Sequence, residues 1–141
     1  MNKASKRTKD NLKDVNAKLA MLVGYTLGIS KVDFWVNEGL RSTETQQKYF
    51  KEGSTKCDGI KNKSKHQLGR AIDVYYVGWK KGAEDQQKWK ELIDAFRLAG
   101  KQLGIKLEFG YDWGWDKPHI ELAKGEWFNE CSYKISKIFH L

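Results

Sequence analysis

Residues 64–73, Ser64-Lys65-His66-Gln67-Leu68-Gly69-Arg70-Ala71-Ile72-Asp73, run from a polar loop through a glycine into a strand. The loop is the preceding stretch 54–65, STKCDGIKNKSK, in which Gly, Ser, Asn and Lys follow no period. The strand is Ala71 to Val77, rich in β-branched and aromatic residues. Gly69 lets the backbone turn tightly, so His66 and Asp73 can face one point. Ala71 and Asp73 fall on one strand face, and the small Ala71 leaves room beside the acid.

Toward the N-terminus, residues 1–7 read as a loose basic tail. Thr8 can cap a helix running to about Ile29, with Leu12, Val15, Leu19, Leu22, Val23 and Leu27 near one face. Val32 to Val36 reads as a strand ended by Gly39. Thr43 followed by Gln46 is a capping-box pattern, opening a helix over 44–52 that ends at Gly53. Toward the C-terminus, 78–82 is a turn or loop and Glu84 to Leu103 is the clearest helix. Trp89, Leu92, Ile93, Phe96, Ala99 and Leu103 mark its buried face, and Gly104 is its natural C-cap. Ile105–Phe109 and Pro118–Leu122 read as strands around a Gly/Trp/Asp loop. The tail from Trp127 to Leu141 can add another strand, and 125–141 is a C-terminal extension of open role. This order of elements predicts an α+β fold with a mainly antiparallel sheet, in one domain spanning 1–141.

The 141 residues, 40% of them apolar, suffice for one packed core. The 26 Lys+Arg outnumber the 18 Asp+Glu, a net charge of +8 that suits an anionic partner: nucleic acid, acidic membrane or cell-wall polymer. A solvated basic surface explains the same excess. The two cysteines, Cys57 and Cys131, make no disulfide framework and are expected to be free thiols. The opening MNKASKRTKDNLKD holds no apolar stretch, so neither a signal peptide nor a membrane insertion is expected.

There are three histidines. Two of them, His66 and His119, together with Asp73, make a sufficient protein ligand set for catalytic zinc, which keeps a fourth position open. The spacing is not that of a helical HExxH site. Taken alone, a histidine near a strand is more often a surface or core residue than a ligand, and an Asp at a strand end is more often a turn partner. His140 has no motif around it.

The ordered set Ser64-x-His66-x-x-Gly69-x-Ala71-x-Asp73 and Asp116-x-Pro118-His119-x-Glu121 resembles the signature of the zinc D-alanyl-D-alanine peptidase family. Gly39-Leu40-Arg41-Ser42 with Gln46 and Gln47, Gly53-Ser54, and 99–105 match the same pattern. The resemblance covers about residues 12 to 123 and is nearest to the phage L-alanyl-D-glutamate endopeptidases. It implies a hedgehog-like α+β fold, a central antiparallel sheet with helices on one side. It implies His66, Asp73 and His119 as zinc ligands, Asp116 as catalytic acid/base and Arg41 as the group that steadies the oxyanion. Ser64 and Gln46 are implied as substrate-side or outer-sphere residues. An endolysin of this kind would act on bacterial peptidoglycan, as a monomer, waiting in the host cytoplasm until released to the wall.

Ordinary alternatives stand beside these roles. Arg41 can pair with a surface carboxylate. Asp112 is a second acid in the same loop and is read as a turn residue. Glu121 shares a strand face with His119 and either orients it or lies on the surface. Trp113 and Trp115 can stack on a glycan, wall a cleft, or pack in the core. A D-alanyl-D-alanine dipeptidase or carboxypeptidase shares the same zinc chemistry. A non-catalytic wall- or nucleic-acid-binding module would use only the charge, but no helix-turn-helix or Cys/His finger supports it.

Overall fold

The computed structural model describes residues 1–126. The strand expected within Trp127–Leu141, together with Cys131 and His140, lies outside the described residues.

The N-terminal helix is two helices. α1 spans Lys6–Asn11 and α2 spans Ala17–Ile29. Between them Asp14 takes φ of 65°, a left-handed conformation that Asp tolerates better than most residues. Asn16 then caps α2, accepting from the Lys18 N–H at 2.9 Å. The cap of α1 is Ser5 rather than Thr8. Thr8 is buried, and its Oγ1 accepts from the Val36 N–H at 3.0 Å. Residues 1–7 are also not loose. Asn2 bonds the Leu27 and Ser30 carbonyls, and helix begins at Lys6.

β1 is Phe34–Glu38, α3 is Thr43–Lys51 and β2 is Ala71–Tyr76. Ser42, one residue before the expected cap, accepts from the Thr45 N–H at 3.1 Å. Its use leaves Gln46 free to point inward. α4 is Gln86–Leu103, capped by Asp85 and ended by Gly104 at φ 69°. Ile105 N–H closes back on the Gly100 carbonyl at 2.9 Å, satisfying an orphan helix acceptor. β3 is Leu107–Phe109, α5 is the short helix Gly110–Trp113 inside the expected loop, and β4 is His119–Leu122.

The sheet has the order β1-β2-β4-β3, with every neighbouring pair antiparallel. Side chains alternate across it. Phe34, Val36, Ile72, Val74, Tyr76, Ile120 and Leu122 join one hydrophobic cluster with Leu19, Leu22 and Val23 of α2 and Trp89, Leu92, Ile93 and Phe96 of α4. The intervening residues Asp73, His119 and Glu121 therefore point to the opposite face. Burying each large apolar side chain contributes about 1.5–3 kcal/mol, so the helices hold the sheet firmly from behind and leave its front for the site.

Candidate active site

Three strands place three chemical groups in one row. Asp73 of β2 lies opposite His119 of β4, and Glu38 of β1 lies opposite Asp73. Glu38 reaches that row through a bulge. The register shifts between Val36 and Glu38, so Asn37 is the extra residue. Strict alternation from Phe34 and Val36 would have turned Glu38 into the core, and the bulge re-aims it to the front.

His66 comes from the turn before β2. Its Nδ1 lies 3.0 Å from the Gly39 carbonyl, leaving Nε2 facing Asp73 Oδ1 at 3.2 Å. His119 is held the other way round: Nε2 lies 2.9 Å from Glu121 Oε1, and Nδ1 faces Asp73 Oδ1 at 3.4 Å. Each ring thus spends one nitrogen on an outer partner and turns the other inward, an arrangement common to metal-binding histidines. Ligand atoms of His66, Asp73 and His119 lie within 4.8 Å of one another, the one such group among the described residues. Two imidazole nitrogens and one carboxylate oxygen are a donor set that fits zinc with a position to spare.

The turn carrying His66 is itself braced. Gly69 sits at φ 68°, and its carbonyl accepts from the Asn16 N–H at 2.8 Å. Ser64 Oγ accepts from the Gln67 N–H at 3.2 Å, while Gln67 Oε1 accepts from the Ser64 N–H at 3.0 Å. Ala71 lies directly opposite Glu121 and is fully buried beside the His119–Glu121 pair.

Burial alone would raise the Asp73 carboxyl, but hydrogen bonds from His119 and His66 outweigh it and hold it well below the usual carboxylate range. Burial alone would lower His119. Asp73 and Glu121 overcome that and push it up to about 9. Asp116 is raised, first by burial and then by the charge of Asp73.

Asp116 approaches His119 Nδ1 at 3.9 Å and lines the cleft over the cluster. Asp112 faces away and pairs with Arg97. Gly110 makes the approach of Asp116 possible, because a Cβ there would overlap the Asp116 carbonyl and crowd the His119 Cβ. Arg41 lines the same cleft. Its Nε and Nη2 donate to Glu38 Oε1, its Nη1 donates to Gln46 Oε1 at 2.8 Å, and its guanidinium lies 4.9 Å over the Tyr49 ring. Gln46 is 0% exposed and also donates to the Cys57 carbonyl at 2.9 Å. It therefore meets Arg41 and the 54–65 loop, not open space. Ser64 does line the cleft, and Cys57 is a free thiol.

Glu38 carries no role in the sequence pattern, and Gly39 is marked there as a strand end and motif residue but not as the carbonyl that holds His66. A charged residue at an inward position of an alternating strand was the available signal for the bulge.

The cleft holds about 1160 Å³, and its lining includes Trp113, Trp115 and lysines of the 54–65 loop. Two histidines and one carboxylate that could hold a metal ion, with Asp116 and Arg41 lining the same cleft, are an arrangement able to support metal-assisted hydrolysis. Residues 1–129 match the family described as phage L-alanyl-D-glutamate peptidase, and the chain belongs to that family, a family of peptidases. An L-alanyl-D-glutamate peptidase of Escherichia phage T5 is 32% identical over 125 residues, covering 87% of this chain and 90% of that protein. The crystal structure of the L-Ala D-Glu endopeptidase ChiX from Serratia marcescens superposes with a TM-score of 0.72 at 30% identity, covering 84% of this chain and 87% of ChiX. No helix among the described residues is long and apolar enough to cross a membrane.

Proposed function

We propose that this protein is a zinc-dependent endopeptidase that hydrolyses the bond between L-alanine and D-glutamate in peptidoglycan stem peptides, as a phage-type endolysin. The observation that carries the reading is the convergence of His66 Nε2, Asp73 Oδ1 and His119 Nδ1 beneath Asp116 and Arg41. His66, Asp73 and His119 would hold the zinc, which would supply Lewis acidity toward a carbonyl oxygen and a water.

The chain's own groups do the rest. Asp116, raised first by burial, takes a proton from the attacking water and returns it to the leaving amine. Arg41 presents a guanidinium to the negative charge that grows on the carbonyl oxygen. Glu38, Gln46 and Tyr49 hold that guanidinium still, so little reorganisation is needed when charge develops. Glu121 and the Gly39 carbonyl fix the ring orientations of His119 and His66. Ser64 borders the substrate space.

Digestion of purified peptidoglycan, followed by sequencing of the new amino termini, tests the bond. Fresh D-glutamate termini are expected. Release of D-alanine without them would replace this reading by a D-alanyl-D-alanine carboxypeptidase.

A further inference from the structure

Trp113 and Trp115 have no part in the chemistry above. Both stand in the cleft wall, and both are exposed, at 40% and 76%. α5 ends at Gly114, which turns at φ 85°. That turn brings the two indoles to 5.4 Å between centroids, with planes 31° apart. Trp113 in turn lies 5.4 Å from the His119 ring, at 36°. A shelf of aromatic surface thus extends from a metal-binding histidine out to solvent. Tryptophan is usually buried, and apolar area left in water forgoes about 25 cal/mol per Å². Such surface beside a reactive centre marks contact with a ligand.

The chemistry of the shelf limits the ligand. Indole faces are flat, apolar and electron-rich. They suit a group with a flat face of C–H bonds and polar atoms around its edge, which describes a pyranose ring. The peptide around the proposed bond has no such group, because alanine and glutamate both lack a large apolar side chain. The inference rests on that bond assignment. In peptidoglycan the L-alanine is joined through its nitrogen to the lactyl group of N-acetylmuramic acid. The sugar therefore lies one alanine and one lactyl unit from the cut, about two residue lengths or roughly 7 Å. A sugar ring at that remove falls within reach of a shelf that starts at His119.

We propose that Trp113 and Trp115 form a stacking subsite for the N-acetylmuramic acid ring on the acyl side of the scissile bond. Two substrates with the same bond test it: a disaccharide-tetrapeptide and the free tetrapeptide. The wild-type enzyme should favour the disaccharide form in kcat/KM by about tenfold, the scale of one good aromatic contact. Trp115→Ala should bring that ratio to about one, with the loss in the KM of the disaccharide substrate. Trp115→Phe should keep part of the preference. A wild-type ratio of one, or a Trp115→Ala ratio equal to wild type, would overturn the subsite alone. Cleavage of neither substrate by the wild type would overturn the bond assignment and the subsite with it.

Discussion

Asp112, in α5, and Asp116, just beyond it, are four residues apart, yet their surroundings differ completely. Asp112 is neutralised by Arg97, whereas Asp116 looks into the cleft with His119 beside it. Asp116→Asn keeps the shape and removes the proton acceptor. Turnover should fall by about a hundredfold or more while zinc content stays at one per chain. Asp112→Asn should leave turnover near wild type, and the reverse pattern would show the roles to be exchanged. His119 carries a second prediction. Its pKa in the metal-free protein, about 9, lies above its ordinary value of 6.5. At neutral pH the ring is therefore protonated, and zinc must displace the Nδ1 proton. Zinc binding near pH 7 should release about one proton, and affinity should climb about tenfold per pH unit, levelling off near pH 9. Calorimetry in two buffers of different ionisation enthalpy measures this directly, and equal heats in both would mean that His119 starts neutral. By the same linkage, the charged pair stabilises the metal-free protein fully below pH 6.5 and is lost as pH rises through about 9.

At the scale of elements, the bulge in β1 matters more than the length of any strand. One extra residue, Asn37, moves Glu38 from the core side to the front, where it accepts two donors from Arg41. Glu38 also stands 3.9 Å from His66 Nδ1. Glu38→Gln should loosen the arginine while leaving all three ligand side chains in place. We expect kcat to fall by about tenfold, the lower end for outer-sphere partners, with KM and zinc content little changed. A variant with normal kcat would show that Gln46 and Tyr49 hold Arg41 unaided. The N-terminal helices give a parallel lesson. An apolar stripe from Leu12 to Leu27 predicts one helix, but the stripe cannot report that Asp14 turns left-handed and that Asn16 restarts the chain. An Asx residue just ahead of Ala-Lys-Leu-Ala was the local sign of that restart.

Over the whole molecule, the +8 charge acts at longer range than the site. Lys56, Lys61, Lys63 and Lys65 all line the cleft, so their charge would attract a polyanionic polymer to it. Screening weakens such attraction beyond roughly 8–10 Å at physiological salt. Raising salt should therefore slow digestion of intact wall more than cleavage of a short soluble stem peptide. Equal slowing of both would remove the basic surface from the account.

Much of the site was legible because its residues cluster in short motifs. His66 and Asp73 are separated by one glycine turn, so local backbone geometry nearly determines that they meet, and Gly69 at φ 68° bears this out. The α+β class, the buried face of α4 and its Gly104 stop were set in the same way, by periodicity and backbone preference acting over a few residues. Tertiary structure alone decided the remainder. His119 meets Asp73 only because β4 pairs with β2 in one register. Glu121 is an orienting partner rather than a surface acid because that same face is buried. Gln46 turns inward to Arg41, and Trp115 stays in solvent, according to what packs above them. Sequence determines what each residue can do and which neighbours it has along the chain. Register and burial depend on the packing of distant elements, and these choose which of those capacities is used.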